Sequence, residues 1–132
     1  MEPTQNNVEA MIKSVYANKE IIDSMLKRTV ENEKIINSRL SARSSSKAAL
    51  ESEQIDMYRE YVRGKEDIKS SLEEYRQTLE ENYSHISIEL YRKDRDYSAV
   101  HSFLDKINTL QIKIMEMLCS ILGLSNRLVG CI

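Results

Sequence analysis

The only proline in this chain is Pro3. From Thr4 to Ile132 no residue forbids a helix, and only Gly64, Gly123 and Gly130 weaken one. Apolar residues recur three and four apart instead of alternating, which is the mark of amphipathic helices. Charged residues make up 30% of the chain, tryptophan is absent and phenylalanine occurs once. So little aromatic mass disfavours a compact globular core. These features predict an all-α fold of long helices. They would form an elongated coiled coil, or a helical hairpin or bundle completed by another chain.

The strongest seam lies near the carboxyl end. Val100, Phe103, Ile107, Leu110, Ile114, Met117, Ile121, Leu124 and Leu128 follow at alternating steps of three and four residues. On a helix that spacing draws one apolar stripe. One heptad position is held by Val100, Ile107, Ile114, Ile121 and Leu128, the other by Phe103, Leu110, Met117 and Leu124. β-Branched residues at the first and Leu-like residues at the second favour parallel two-stranded pairing. Leu104, Met115, Leu118 and Leu122 lie beside the stripe and widen it, as bundle helices require. An isolated helix of this length is marginal in water, because apolar burial must offset the entropy of ordering it. The seam is therefore expected to bind a partner helix.

Taken in order, residues 1–6 are expected to be disordered and 7–40 to form a first helix. Its seam runs through Val8, Ile12, Val15, Lys19, Ile22, Leu26, Thr29, Glu33, Ile36 and Leu40. Lys19, Thr29 and Glu33 interrupt it, so it can cover only part of a longer helix. The stretch SRLSARSSS follows, and serine competes for backbone hydrogen bonds and favours turns. Residues 41–46 are predicted to form a corner, with a skip in the heptads as the alternative. Ser41, Ser44, Ser45 and Ser46, beside Arg39 and Arg43, are a candidate phosphorylation cluster.

Residues 47–129 are predicted to form one long helix, with Gly64 as the candidate position for a kink. A secondary seam is assigned to Ile55, Tyr58, Val62, Leu72, Leu79, Tyr83, Ile86, Leu90 and Tyr97. The charged patch YRKDRDYS, from Tyr91 to Ser98, contains no helix breaker, so the helix is expected to run through it.

No residue pattern supports catalysis. His85 and His101 have no other ligand at metal-binding spacing, and Glu73/Glu74 and Glu80/Glu81 read as a solvated face. No phosphate loop is present. No cofactor, no metal and no enzymatic activity are expected. Cys119 is expected to be a small buried hydrophobe and Cys131 a thiol on a frayed end. Two such cysteines do not make a disulfide framework, so an intracellular setting, cytoplasmic or nuclear, is expected. The net charge is −2 and no basic cluster stands out, which disfavours nucleic acid as a partner. The run Ile114–Leu124 is shorter than a spanning helix and holds Glu116, so direct membrane binding is also disfavoured. The partners expected are proteins, met through helix–helix packing in a homo- or hetero-oligomer.

The expected function is that of a non-enzymatic assembly subunit in a multi-protein complex. Chromosome, kinetochore, centrosome or spindle assemblies, mitotic or meiotic, suit long helices with interrupted heptads. A helical membrane-trafficking tether or SNARE-like subunit is the alternative.

Overall fold

The computed structural model describes residues 5–46, 50–91 and 97–132, with side chains described for all of these except 44–46 and 83–91. The fold is an all-helical bundle of α1 (Gln5–Ser46), α2 (Ser52–Tyr91) and α3 (Tyr97–Cys131), with no strand among the described residues. The chain divides into two units. The first joins Met1–Ile22 to Ser70–Met115, and the second joins Asp23–Lys69 to Glu116–Ile132. Each unit contains a segment of all three helices.

In the first unit, α1 and α3 close an apolar cluster. Val8, Val100 and Leu104 are buried, with Met11, Ile12, Val15 and Tyr97 packed around them. A polar layer lies next to it. Gln111 is fully buried, and its Nε2 donates to the Val15 carbonyl at 2.9 Å and to the Tyr75 hydroxyl at 3.0 Å. Asn18 Nδ2 donates to Asn108 Oδ1 at 2.9 Å and to Gln111 Oε1 at 3.3 Å. α2 contributes Ser71, Tyr75, Thr78 and Asn82 to the buried side. Thr78 Oγ1 donates to the Glu74 carbonyl and Asn82 Nδ2 to the Thr78 carbonyl, so these polar side chains are satisfied by their own helix.

In the second unit, α1 and α3 run in the same direction. Asn32 Nδ2 donates to Ser125 Oγ and Asn126 Oδ1, while Arg39 and Arg43 donate to the carbonyls of Val129 and Ile132. α2 runs the other way, since Gln54 meets Cys131 and Gly64 meets Ile121. The last carbonyls of a helix have no partner within it. Here Arg39 and Gln54 supply donors for Val129 and Cys131 from the other two helices. Gln54 serves both helix ends, because its Oε1 also accepts from the Glu51 N–H at the start of α2.

Tyr61 is the largest fully buried side chain of this unit, 2% exposed. Its hydroxyl has no hydrogen-bond partner among the described residues. The ring lies 6.2 Å from that of Tyr58, and the Lys65 ammonium, paired with Glu33, stands 5.5 Å from its centroid. Burial, then the charges of Glu33 and Tyr58, push the Tyr61 hydroxyl up to about 12 from the ordinary 10.0. A buried hydroxyl without a partner costs about 1–3 kcal/mol. Tyr61→Phe is therefore expected to raise unfolding stability by about 1 kcal/mol in chemical denaturation; a loss would show that the hydroxyl has a partner. The pH dependence has a defined sign. Between pH 10 and about 12 the unfolded chain loses this proton while the folded chain keeps it. The Tyr61 contribution is constant below that window and falls through it, and the fall is absent in Tyr61→Phe.

Gly64 packs tightly against Ile121 of α3. A Cβ built there would stand 2.4 Å from Ile121 Cδ1 and 3.1 Å from its Cγ1. Gly64→Ala is expected to destabilise by about 1–2 kcal/mol, overpacking outweighing the gain in helix propensity. Ile121→Val removes the clashing methyl, so the double variant should lose less than the two singles summed. Simple additivity in a denaturation cycle would rule out the close approach.

Four sequence expectations are corrected. α1 does not end at 40 but continues helically through Ser41–Ser46, its arginines engaged with the end of α3. α1 also begins at Gln5, inside the stretch 1–6 expected to be disordered. The helix expected over 47–129 is instead α2 and α3 lying side by side: Gln111 touches Tyr75, 36 residues away, which one straight helix would hold about 54 Å apart. Residues 1–4, 47–49 and 92–96, within the predicted disordered N-terminus, the start of the predicted long helix and the charged patch, lie outside the described residues. Finally, Cys119 is exposed, because it stands on the far side of α3 from its buried stripe.

Candidate partner-helix interface

α3 carries two rows that hydropathy alone does not separate. The inner row is Val100, Leu104, Ile107, Gln111, Ile114, Leu118, Ile121, Ser125 and Leu128, at steps of four and three. Every member is 0–4% exposed. The outer row is Phe103, Leu110, Met117 and Leu124. Leu110 is 9% exposed and the other three are half-buried. The seam therefore keeps its first heptad position and changes its second. Leu104, Gln111, Leu118 and Ser125 point inward where Phe103, Leu110, Met117 and Leu124 were expected.

The inward choice follows from the polar partners. Gln111 bridges α1 and α2 in the first unit, and Ser125 accepts from Asn32 in the second. Turning the outer row inward would expose both and leave Asn32 and Tyr75 without these contacts. The expectation that another chain must cover the whole seam is thus revised. The chain's own helices bury the inner row and Leu110, while Phe103, Met117 and Leu124 of the outer row stay half-buried.

The secondary seam on α2 is one residue out of phase. Ile55 and Val62 are 36% and 41% exposed, and Tyr58, Leu72, Leu79 and Tyr97 are half-buried. The side chains of Tyr83, Ile86 and Leu90 lie outside the described residues. The buried stripe is Tyr61, Ile68, Ser71, Tyr75, Thr78 and Asn82. Its small and polar members hide it from an apolar count; the seven-residue recurrence of Tyr61, Ile68, Tyr75 and Asn82 was the available signal.

The remaining candidates are placed as follows. Ser41 is exposed, and the side chains of Ser44, Ser45 and Ser46 lie outside the described residues. His101 is half-buried, while His85 has no described side chain. Among the described residues no group of three or more His, Cys, Asp or Glu side chains could hold a metal ion. By length and composition alone α3 is long and apolar enough to cross a membrane, its most apolar window having a mean hydropathy of 1.3. The Gln111 and Ser125 hydrogen bonds on its inner row are those of a bundle helix.

An open groove of about 290 Å³ lies between α2 and α3 in the second unit. Met117, Ser120, Ile121 and Leu124 form its α3 wall, and Glu60, Arg63, Gly64 and Asp67 its α2 wall. It is shallow and at the lower end of the volumes typical of ligand sites. No protein-family model matches this chain, and no curated protein or solved structure does.

Proposed function

We propose that this protein is a non-enzymatic helical assembly subunit that binds a partner helix through the outer row of α3. One observation carries the reading. After the chain's own helices have covered the inner row, Phe103, Met117 and Leu124 remain half-buried at heptad spacing. Apolar side chains left at the margin of a bundle, three to four and seven apart, are what a further helix uses to dock. The setting that such a subunit suits is an intracellular multi-protein complex, of the kind found in chromosome, kinetochore, centrosome or spindle assemblies.

The test uses a benzophenone side chain placed in turn at Met117 and at Leu124, positions seven apart on one row. Mapped cross-links in cells are expected to land on two residues of one partner segment, themselves about seven apart, as a docked helix requires. Adducts scattered over unrelated segments, or none at either position, would contradict the reading.

A further inference from the structure

Resting on this helix-binding reading, we propose that the occupant of the α2–α3 face is a second copy of the same chain, stacked on the first about a two-fold axis. Charge complementarity between α2 and α3 favours that occupant. On α2, Glu53, Glu60 and Asp67 recur every seven residues in the second unit, and all are exposed. Arg63 stands among them, one turn from Glu60 and from Asp67, so the α2 wall keeps a net negative charge. On α3, Arg127 lies three residues after Leu124, on the solvent side of the outer row, and is exposed.

The first unit repeats the pattern within itself. Glu74 and Glu81 are exposed on α2, while Lys106 and Lys113 are exposed on α3, three residues after Phe103 and Leu110. In the first unit, then, α2 offers an acidic row and α3 an apolar row bordered by two lysines, while in the second the basic border of α3 is Arg127, with Ser120 three residues after Met117. A helix that would fit the acidic, apolar-floored α2–α3 face needs an apolar row with a basic border, and α3 is such a helix.

Within either unit, a two-fold axis along its helices lays α3 of one copy over α2 of the other. Each acidic row then meets a basic row, twice per dimer, as isologous interfaces require. Met117 and Leu124 line the open side of the α2–α3 groove, where the outer row of the other copy would lie against them. Flanking rows of this kind set partner choice in helix assemblies.

The experiment is sedimentation equilibrium of the full chain and two charge-reversed variants, Glu60→Lys/Asp67→Lys/Glu74→Lys and Lys106→Glu/Lys113→Glu/Arg127→Glu. All six positions are exposed, so circular dichroism should report unchanged helix content. The unmodified chain is expected to form a concentration-dependent dimer that weakens as salt is raised. Each variant alone should dissociate at least about tenfold more readily, and an equimolar mixture should recover dimer as a heterodimer. A chain that stays monomeric at every concentration overturns the proposal. So do variants that dimerise as well as the unmodified chain, or a mixture that fails to recover. If the dimer is absent while benzophenone at Met117 and Leu124 still maps a helix of another protein, the second-copy assignment fails and the helix-binding reading stands.

Discussion

Leu118→Ala is expected to lower unfolding stability by about 2–5 kcal/mol, and Met117→Ala, one residue earlier, by less than about 1 kcal/mol. Leu118 is 0% exposed on the inner row of α3, whereas Met117 is half-buried on the outer row and lines the open groove. Truncating Leu118 removes apolar contact and leaves a cavity that the helices around it can close only in part. Truncating Met117 widens a groove already open to water. The two residues have similar hydropathy and adjoin in sequence, so the contrast reports the rotational setting of α3 and little else. Urea unfolding of both variants measures it. Equal losses would mean that both rows share the core, and a larger loss at Met117 would reverse the assignment.

Gln111→Ala should be nearly as damaging, at about 2–4 kcal/mol, although the residue lost is polar. Gln111 is 0% exposed and ties three elements together through Val15, Tyr75 and Asn18. Its removal leaves a cavity of side-chain size and strips the Tyr75 hydroxyl of this donor. Gln111→Leu refills the volume without restoring the hydrogen bonds, and is expected to recover roughly half of the loss. Full recovery by leucine would show that volume alone matters at this layer. A buried polar group can also fix helix register at a cost in stability. Thermal unfolding of Gln111→Leu should then be less cooperative than that of the unmodified chain.

These two positions also show where the sequence was informative. The existence of helices followed from the absence of breakers after Pro3, and the structure is helical across almost every described residue. The α1 stripe was legible in its phase. Val8, Ile22, Thr29 and Ile36 are buried at seven-residue multiples, and the interruptions Thr29 and Glu33 are absorbed by a bond to the Met25 carbonyl and by the pair with Lys65. The first heptad position of α3 was legible too, because Val100, Ile107, Ile114, Ile121 and Leu128 are all aliphatic.

The second position was not legible. Leucines stand in both candidate rows, and the inner one includes Gln111 and Ser125, which an apolar count rejects. On α2 the same blindness moved the stripe by one residue, since Ile55 and Val62 look more like core than Ser71, Thr78 or Asn82. Chain reversal between α2 and α3 left no local mark either. No glycine or proline stands between Tyr83 and Tyr97, and the return is visible only through contacts such as Tyr75 with Gln111. Long-range hydrogen bonds decide these features, and they are not properties of any short window.

The account depends on the division of α3 into a row held inside the chain and a row left at its surface. Cysteine accessibility tests that division directly. With Cys119 and Cys131 replaced by serine, single cysteines at Phe103, Leu104, Met117, Leu118, Leu124 and Ser125 are labelled with a maleimide under native, monomeric conditions. The account predicts fast labelling at 103, 117 and 124 and strong protection at 104, 118 and 125. Protection of 103, 117 and 124 with labelling at their neighbours, or no difference between the two sets, would contradict it.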